Sequence, residues 1–145
     1  MFRKIQDEEI QILDDDPVRP EIPADIRLIY GDIYVLESEG MIDAVLCIMY
    51  TNKVPKTNEE LIKLAKQAKG GKNGNFAILY TCWSYKKGCG SAIVNDVVKE
   101  LKENQPEVKR YITLSPLTKM ASDFHYKNGA SKIRVNKTTQ NFEYK

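Results

Sequence analysis

The stretch from residue 75 to residue 101 constrains this chain most, because it reads as strand, glycine loop and helix in direct succession. Asn75 to Tyr85 is rich in β-branched and aromatic residues (Phe76, Ile78, Tyr80, Trp83), which suit a strand. The loop Lys86-Lys87-Gly88-Cys89-Gly90-Ser91 follows. Ile93, Val94, Val97, Val98 and Leu101 then recur at helical spacing, and Asn104 to Pro106 stops the helix. Glycines let the backbone turn several N–H groups into one hollow. The first helical turn adds unpaired donors and the positive end of its dipole, so the unit can hold a pyrophosphate. Lys86 and Lys87 add charge there. A plain turn explains the same residues, and neither G-x-x-x-x-G-K-[ST] nor a complete G-x-G-x-x-G is present.

The elements around this unit predict one mixed α/β (α+β) domain over residues 1–145, with a central, mostly antiparallel sheet flanked by helices. Residues 1–23 form an N-terminal segment, with a short helix over 5–13 (Ile5, Ile10 and Leu13 apolar) and a breaker-rich connector from Asp14 to Pro23. Ile26 to Glu37 reads as strand, with a turn near Gly31-Asp32. Gly40 breaks the chain before the apolar strand Ala44 to Tyr50. Thr57-Asn58-Glu59-Glu60 has the form of a capping box, opening a helix whose buried face is Leu61, Ile62, Leu64, Ala65 and Ala68. A flexible loop, Gly70 to Gly74, ends it. Arg110 to Leu114 is a strand that Pro116 terminates, since proline cannot donate to a ladder. Thr118 caps a helix with Met120, Ala121 and Phe124 inward, Asn128-Gly129 closes it, and residues 131–145 return as one or two strands.

Apolar residues make up 42% and charged residues 29%, an ordinary globular balance. The apolar runs fall short of the roughly 20 residues a membrane span needs, and Phe2-Arg3-Lys4 leads into acids rather than an apolar signal stretch. A soluble, cytoplasmic protein without a membrane partner is expected. Cys47, Cys82 and Cys89 form no close pair and read as reduced thiols. One histidine and scattered cysteines give no metal pattern. Residues 1–16 carry six acids against two bases, and residues 86–145 carry twelve bases against six acids. The basic half suits an anionic ligand or a solvated lysine-rich surface equally, and no motif points to nucleic acid.

Tyr85-Lys86-Lys87-Gly88-Cys89-Gly90-Ser91 resembles the coenzyme A loop of the GNAT acyltransferases, written [QR]-x-x-G-x-[GA]. Both glycines match, and Tyr85 stands where the family has Gln or Arg. The resemblance implies that acetyl-CoA or another acyl-CoA is the co-substrate, with no metal. It implies that Cys82, Trp83 and Ser84 offer backbone groups to the pantetheine arm. Tyr85, Lys86, Lys87, Gly88, Cys89, Gly90 and Ser91 would hold phosphate, and Asn128 joins that set.

Thr113-Leu114-Ser115-Pro116, followed by Phe124-His125-x-x-Asn128-Gly129-Ala130, resembles the GNAT-type catalytic domain of malonyl-CoA decarboxylase over roughly residues 75–135. The long helical N-terminal domain of that family has no counterpart here. The residue types suit proton chemistry: a histidine of pKa about 6.5 exchanges a proton near neutrality. A serine hydroxyl at a strand end can donate to a carbonyl or carboxylate. A surface histidine and a turn serine are the plain alternatives. The resemblance places His125, and Tyr126 as its substitute, where many of these transferases keep the acid that protonates the departing thiolate. Neighbours on a helix point about 100° apart, so only one of the two can serve.

Three functions are open. The first is acyl transfer from acyl-CoA to an amine acceptor, with backbone N–H groups near Cys82 to Ser84 on the oxyanion. The second is decarboxylation of malonyl-CoA or a similar thioester by Ser115 and His125. The third is a coenzyme A-binding domain without activity. A homodimer is compatible with all three.

Overall fold

The computed structural model describes residues 1–68 and 74–145, so the expected loop from Gly70 to Gly74 lies almost wholly outside the described residues. Its centre is β3 (Met41–Thr51), an apolar run because both of its faces are covered. Ala44, Leu46, Ile48 and Tyr50 point into one core and Val45, Cys47 and Met49 into another, as the two-residue period of a strand requires. β2 (Gly31–Ser38) and β4 (Phe76–Ser84) pair antiparallel with it on either side.

The sheet runs β1 (Phe2–Lys4), β2, β3, β4, β5 (Arg110–Thr113), β8 (Thr139–Tyr144), β6 (Ser115–Pro116), and β7 (Ser131–Val135) pairs with β8. Every pairing is antiparallel except β4 with β5. That parallel pair needs a crossover, and α3 (Cys89–Asn104) supplies it. The five apolar residues expected on this helix are all buried, each contributing roughly 1.5–3 kcal/mol. α2 (Asn58–Gln67) covers the opposite face through Leu61 and Ala65. The Thr57 hydroxyl accepts from Glu60 N–H as a capping box demands, while the Glu60 carboxylate takes the N–H of Lys56, one residue before the cap.

Five expectations need correction. Residues 26–30 are not strand: α1 spans Ala24–Tyr30, with Asp25 in its first turn after Pro23. Its β-branched residues obscured a helix whose purpose is to carry Arg27 inward, 1% exposed, while Ile29 faces outward. Gly31 makes no turn. It opens β2 pressed against β3, where an added Cβ would lie 1.8 Å from the Ile48 carbonyl oxygen. Pro116 does not end the pairing of its segment, because Ser115 and Pro116 pair with Gln140 and Thr139 of β8. Met120 of α4 (Lys119–Lys127) is exposed rather than inward; Phe124 packs on the core from that helix. The expected N-terminal helix is a 3-10 winding over Asp7–Asp15, in which Ile10 and Leu13 share one face because residues three apart eclipse. No helix among the described residues is long and apolar enough to cross a membrane.

The connector between that winding and α1 holds a buried carboxylate with four donors. Asp16 Oδ1 accepts from Val18 N–H, Arg19 N–H and Thr81 Oγ1 at 2.8–2.9 Å, and Oδ2 accepts from Arg27 Nη1 at 2.8 Å. Arg27 donates further to the carbonyls of Ile22 and Arg19. Asp16 and Arg27 side chains are 0% and 1% exposed, so water replaces none of these bonds if one partner is lost. Asp16→Ala should therefore cost about 3–5 kcal/mol, read as a lower urea midpoint with an unchanged slope. A loss below about 1 kcal/mol would put the pair in the class of surface bridges.

Candidate active site

β4 and β5 run together only as far as Leu79 and Thr113, with one further bond from Leu114 N–H to the Leu79 carbonyl. Beyond that point they part. The register of β4 on β3 shifts at the same place, between Cys47 and Ile48, leaving Tyr80 as an extra residue that bends β4 away. The edge of β4 past Leu79 then has no strand beside it. Tyr85 N–H donates to the Asp43 carbonyl on β3, so by alternation the backbone groups of Cys82 and Ser84 face the opening. This is the edge that the sequence assigned to oxyanion and pantetheine contacts.

The opening is a cavity of about 300 Å³. Leu79, Cys82 and Val94 form apolar wall, and among the described residues no Asp, Glu, Lys or Arg lines it. Ser115 and His125 both line it, from β6 and α4, together with Cys82, Trp83, Ser84 and Gly90. No hydrogen bond joins Ser115 to His125 among the described residues. Ser115 Oγ lies 2.7 Å from Thr113 Oγ1, which itself accepts from Phe142 N–H at 3.0 Å. His125 Nδ1 lies 2.7 Å from the Tyr144 hydroxyl. Tyr126, the substitute acid, is not brought to the cavity: it is exposed and stacks edge-on against Phe142.

At the mouth stands the N-terminus of α3. Gly88 is its cap residue at φ +86°, a conformation glycine adopts without strain. Cys89 N–H donates to the Lys86 carbonyl, and no side chain caps the helix or places an acid in its first turn. The first-turn N–H groups of Gly90 and Ser91 have no protein acceptor among the described residues. Lys86 and Lys87 are exposed beside them. Asn128 ties α4 to this turn, its Nδ2 donating to Ser91 Oγ at 3.1 Å and to the Phe124 carbonyl at 2.8 Å. The Trp83 indole N–H donates to the Tyr85 hydroxyl, which donates to Asp15 Oδ2 at 2.7 Å, so Tyr85 points away from the cavity that Trp83 helps to line. Tyr85 thus fastens the N-terminal segment to the end of β4. Cys89 is half-buried against the core, and burial pushes the Cys82 thiol up to about 12, which leaves it protonated.

No family model and no curated protein sequence matches the chain. Solved structures do. Malonyl-CoA decarboxylase from Agrobacterium vitis superposes with a TM-score of 0.66 at 15% identity, covering 80% of this chain and 33% of that one. This chain therefore spans about a third of that enzyme. The GphF GNAT-like decarboxylase in complex with isobutyryl-CoA gives 0.79 at 12% identity, covering 99% of this chain and 98% of the other. The paia N-acetyltransferase from Thermoplasma acidophilum in complex with coenzyme A gives 0.67 at 11% identity, covering 100% and 98%.

The chain has the GNAT fold. Within it, sequence reading missed Tyr144 and Thr113, the hydroxyls that engage His125 and Ser115. Tyr144 lies nineteen residues beyond its histidine, on a strand whose register no local pattern reveals. The Asp16 network was equally hidden, in a connector that reads as breakers.

Burial lowers His125 from the usual 6.5 to about 4, so the imidazole is neutral at pH 7. With Nδ1 engaged by Tyr144, Nε2 is the ring nitrogen left for a ligand. Between pH 4 and 6.5 the unfolded chain binds a proton at His125 that the folded chain refuses. Stability should then rise with pH across that window and be lost as pH falls through it. His125→Asn should remove up to about 3 kcal/mol of this dependence, measured by urea unfolding at pH 4.5 and 7. An unchanged slope would mean that the imidazole is solvated in the folded state.

Proposed function

We propose that this chain is an acyl-CoA-dependent enzyme of the GNAT type that transfers an acyl group to an amine. The observation carrying the proposal is the parting of β4 from β5 at Leu79 and Thr113 beside an uncapped helix N-terminus. The pyrophosphate would take the free N–H groups of Gly90 and Ser91, with Lys86 and Lys87 adding charge. The pantetheine arm would follow the unpaired edge of β4 at Cys82 and Ser84. The thioester carbonyl then lies in the cavity, where backbone N–H groups and the neutral His125 stabilise negative charge on its oxygen. The amine nitrogen bonds to the carbonyl carbon, the C–S bond breaks, and the coenzyme A thiolate takes up the proton the amine releases.

One observation favours a second reading, decarboxylation. Ser115 and His125 share a cavity whose described lining holds no carboxylate to act as base toward an ammonium group. A carboxylate on the acyl group would be stripped of water there. Its bond to the α-carbon would break, carbon dioxide would leave, and the electron pair would pass to a thioester enolate held by the same donors. The α-carbon then accepts a proton from water, delivered by way of Ser115 or His125. A cytoplasmic location and an amine as acceptor remain part of the first reading only.

Malonyl-CoA alone, and acetyl-CoA with a panel of primary amines, separate the two by mass spectrometry of the coenzyme A species. Conversion of malonyl-CoA to acetyl-CoA assigns decarboxylation, and amine-dependent release of coenzyme A assigns transfer. Either activity should fall at least about a hundredfold in His125→Ala. Retention of both thioesters, unbound and unchanged, would remove the enzyme reading. Gly88→Val forces a β-branched residue to φ +86° and should weaken coenzyme A binding about tenfold by titration calorimetry. Unaltered affinity there would place the phosphates elsewhere.

A further inference from the structure

His125 is set among aromatic rings. Phe124 meets it edge-on with ring centroids 5.2 Å apart, Phe142 lies tilted at 5.1 Å, and Tyr144 stands edge-on at 5.8 Å. The Tyr144 hydroxyl, 2.7 Å from Nδ1, belongs to a side chain only 5% exposed, so little water competes for that bond. The other polar group whose field reaches this hydroxyl is the Cys82 thiol. It stays protonated and directs its own S–H toward the Gly90 carbonyl. The pair of phenol and imidazole is therefore left to settle its protons by itself.

A phenol carries one proton and a neutral imidazole carries one, which allows two orders. In the first, Nδ1–H donates to the phenol oxygen. The phenolic proton then needs another acceptor, and the Tyr144 hydroxyl has no other hydrogen-bond partner among the described residues. An O–H buried without an acceptor loses the bonds that water gave it and gains none. In the second order the phenol donates to Nδ1, and the imidazole proton sits on Nε2. No proton is stranded in the aromatic packing, because His125 lines the cavity and a ligand there can accept from Nε2–H.

We infer that Tyr144 is a positioning residue that locks His125 as the Nε2–H tautomer, so that the imidazole donates into the cavity and accepts nothing from it. The ligand atom it meets is an oxygen with a lone pair to offer. An ammonium group finds no base in His125, so an amine acceptor has to reach the carbonyl carbon already free of its extra proton. The tautomer follows from the phenol and imidazole alone, whereas its effect on an acyl group rests on the reading of the cavity as the acyl site.

The chain has one histidine, so its imidazole gives a single set of nitrogen signals. Long-range proton–nitrogen correlation spectra of the ¹⁵N-labelled protein at pH 7 read the tautomer directly, since Nε2 couples to both ring protons and Nδ1 strongly to Hε1 alone. Wild type should show Nε2 protonated and Nδ1 as the acceptor. A protonated Nδ1, or two tautomers in comparable amounts, overturns the inference. Tyr144→Phe keeps the ring and removes the hydroxyl, and its Nδ1 signal should move downfield as the hydrogen bond is lost. An unmoved Nδ1 signal overturns the inference, because a merely structural tyrosine would give that result. If Tyr144→Phe does not fold, wild type grown with 3-fluorotyrosine decides. The more acidic phenol donates more strongly and moves Nδ1 upfield, and an unmoved signal again overturns the inference. With whichever thioester the protein turns over, Tyr144→Phe should lower kcat about tenfold at unchanged KM, and an unchanged kcat overturns the positioning role. Absence of turnover with every thioester defeats the proposed function alone, since the imidazole spectra need no ligand and still decide Tyr144.

Discussion

A carboxylate shut away from water must have its lone pairs filled by the protein, and Asp16 shows how much structure that demand organises. Its four donors come from the turn that follows it, from α1 and from Thr81 on β4. The N-terminal segment is thereby held against the strand that borders the cavity, on the residue after the bulge at Tyr80. The Tyr85 hydroxyl, donating to Asp15, repeats the tie at the far end of the same strand. The departure of β4 from β5 is thus fixed from behind by polar bonds with no water to compete for them. A cavity opened only by the absence of a neighbouring strand would have nothing to keep it open.

The two sides of that opening present different chemistry. On the β4 side are backbone groups, which cannot change protonation and stay in place as the strand does. On the other side are a hydroxyl and an imidazole, each held by a second hydroxyl behind it. An imidazole that stays neutral across the physiological range donates or accepts one hydrogen bond into the cavity according to its tautomer, and Tyr144 sets which. Such a group is suited to polarising a carbonyl more than to delivering a proton.

Elements with a strong local signature were legible in the sequence. The strand–loop–helix unit at residues 75–104 was read with its buried stripe intact, because helical spacing and glycine placement are local properties. Ser115 and His125 were legible as candidates, and the structure brings both to one cavity. What was not legible depended on distant partners. Residues 26–30 carry strand-like side chains, yet the demand of Asp16 for Arg27 makes them helical. Gly31 looked like a turn residue because nothing local reveals the Ile48 carbonyl against which it packs. Tyr126 and Met120 stood on the expected helix, but which of its faces meets the core is settled by Phe124 and Phe142.

The order of strands has a consequence of its own. β8 lies between β5 and β6, so segments adjacent in sequence at 110–116 are joined in the sheet by residues 139–144. Until that late strand is inserted, β5 has one neighbour, β6 has none, and His125 lacks its phenol. Such an insertion must close a long loop before any contact rewards it, which slows it relative to the hairpin of β2 and β3. A chain of this topology pairs β2 with β3 before the strand that brings Tyr144 to His125, and an incompletely folded molecule exposes an open sheet edge.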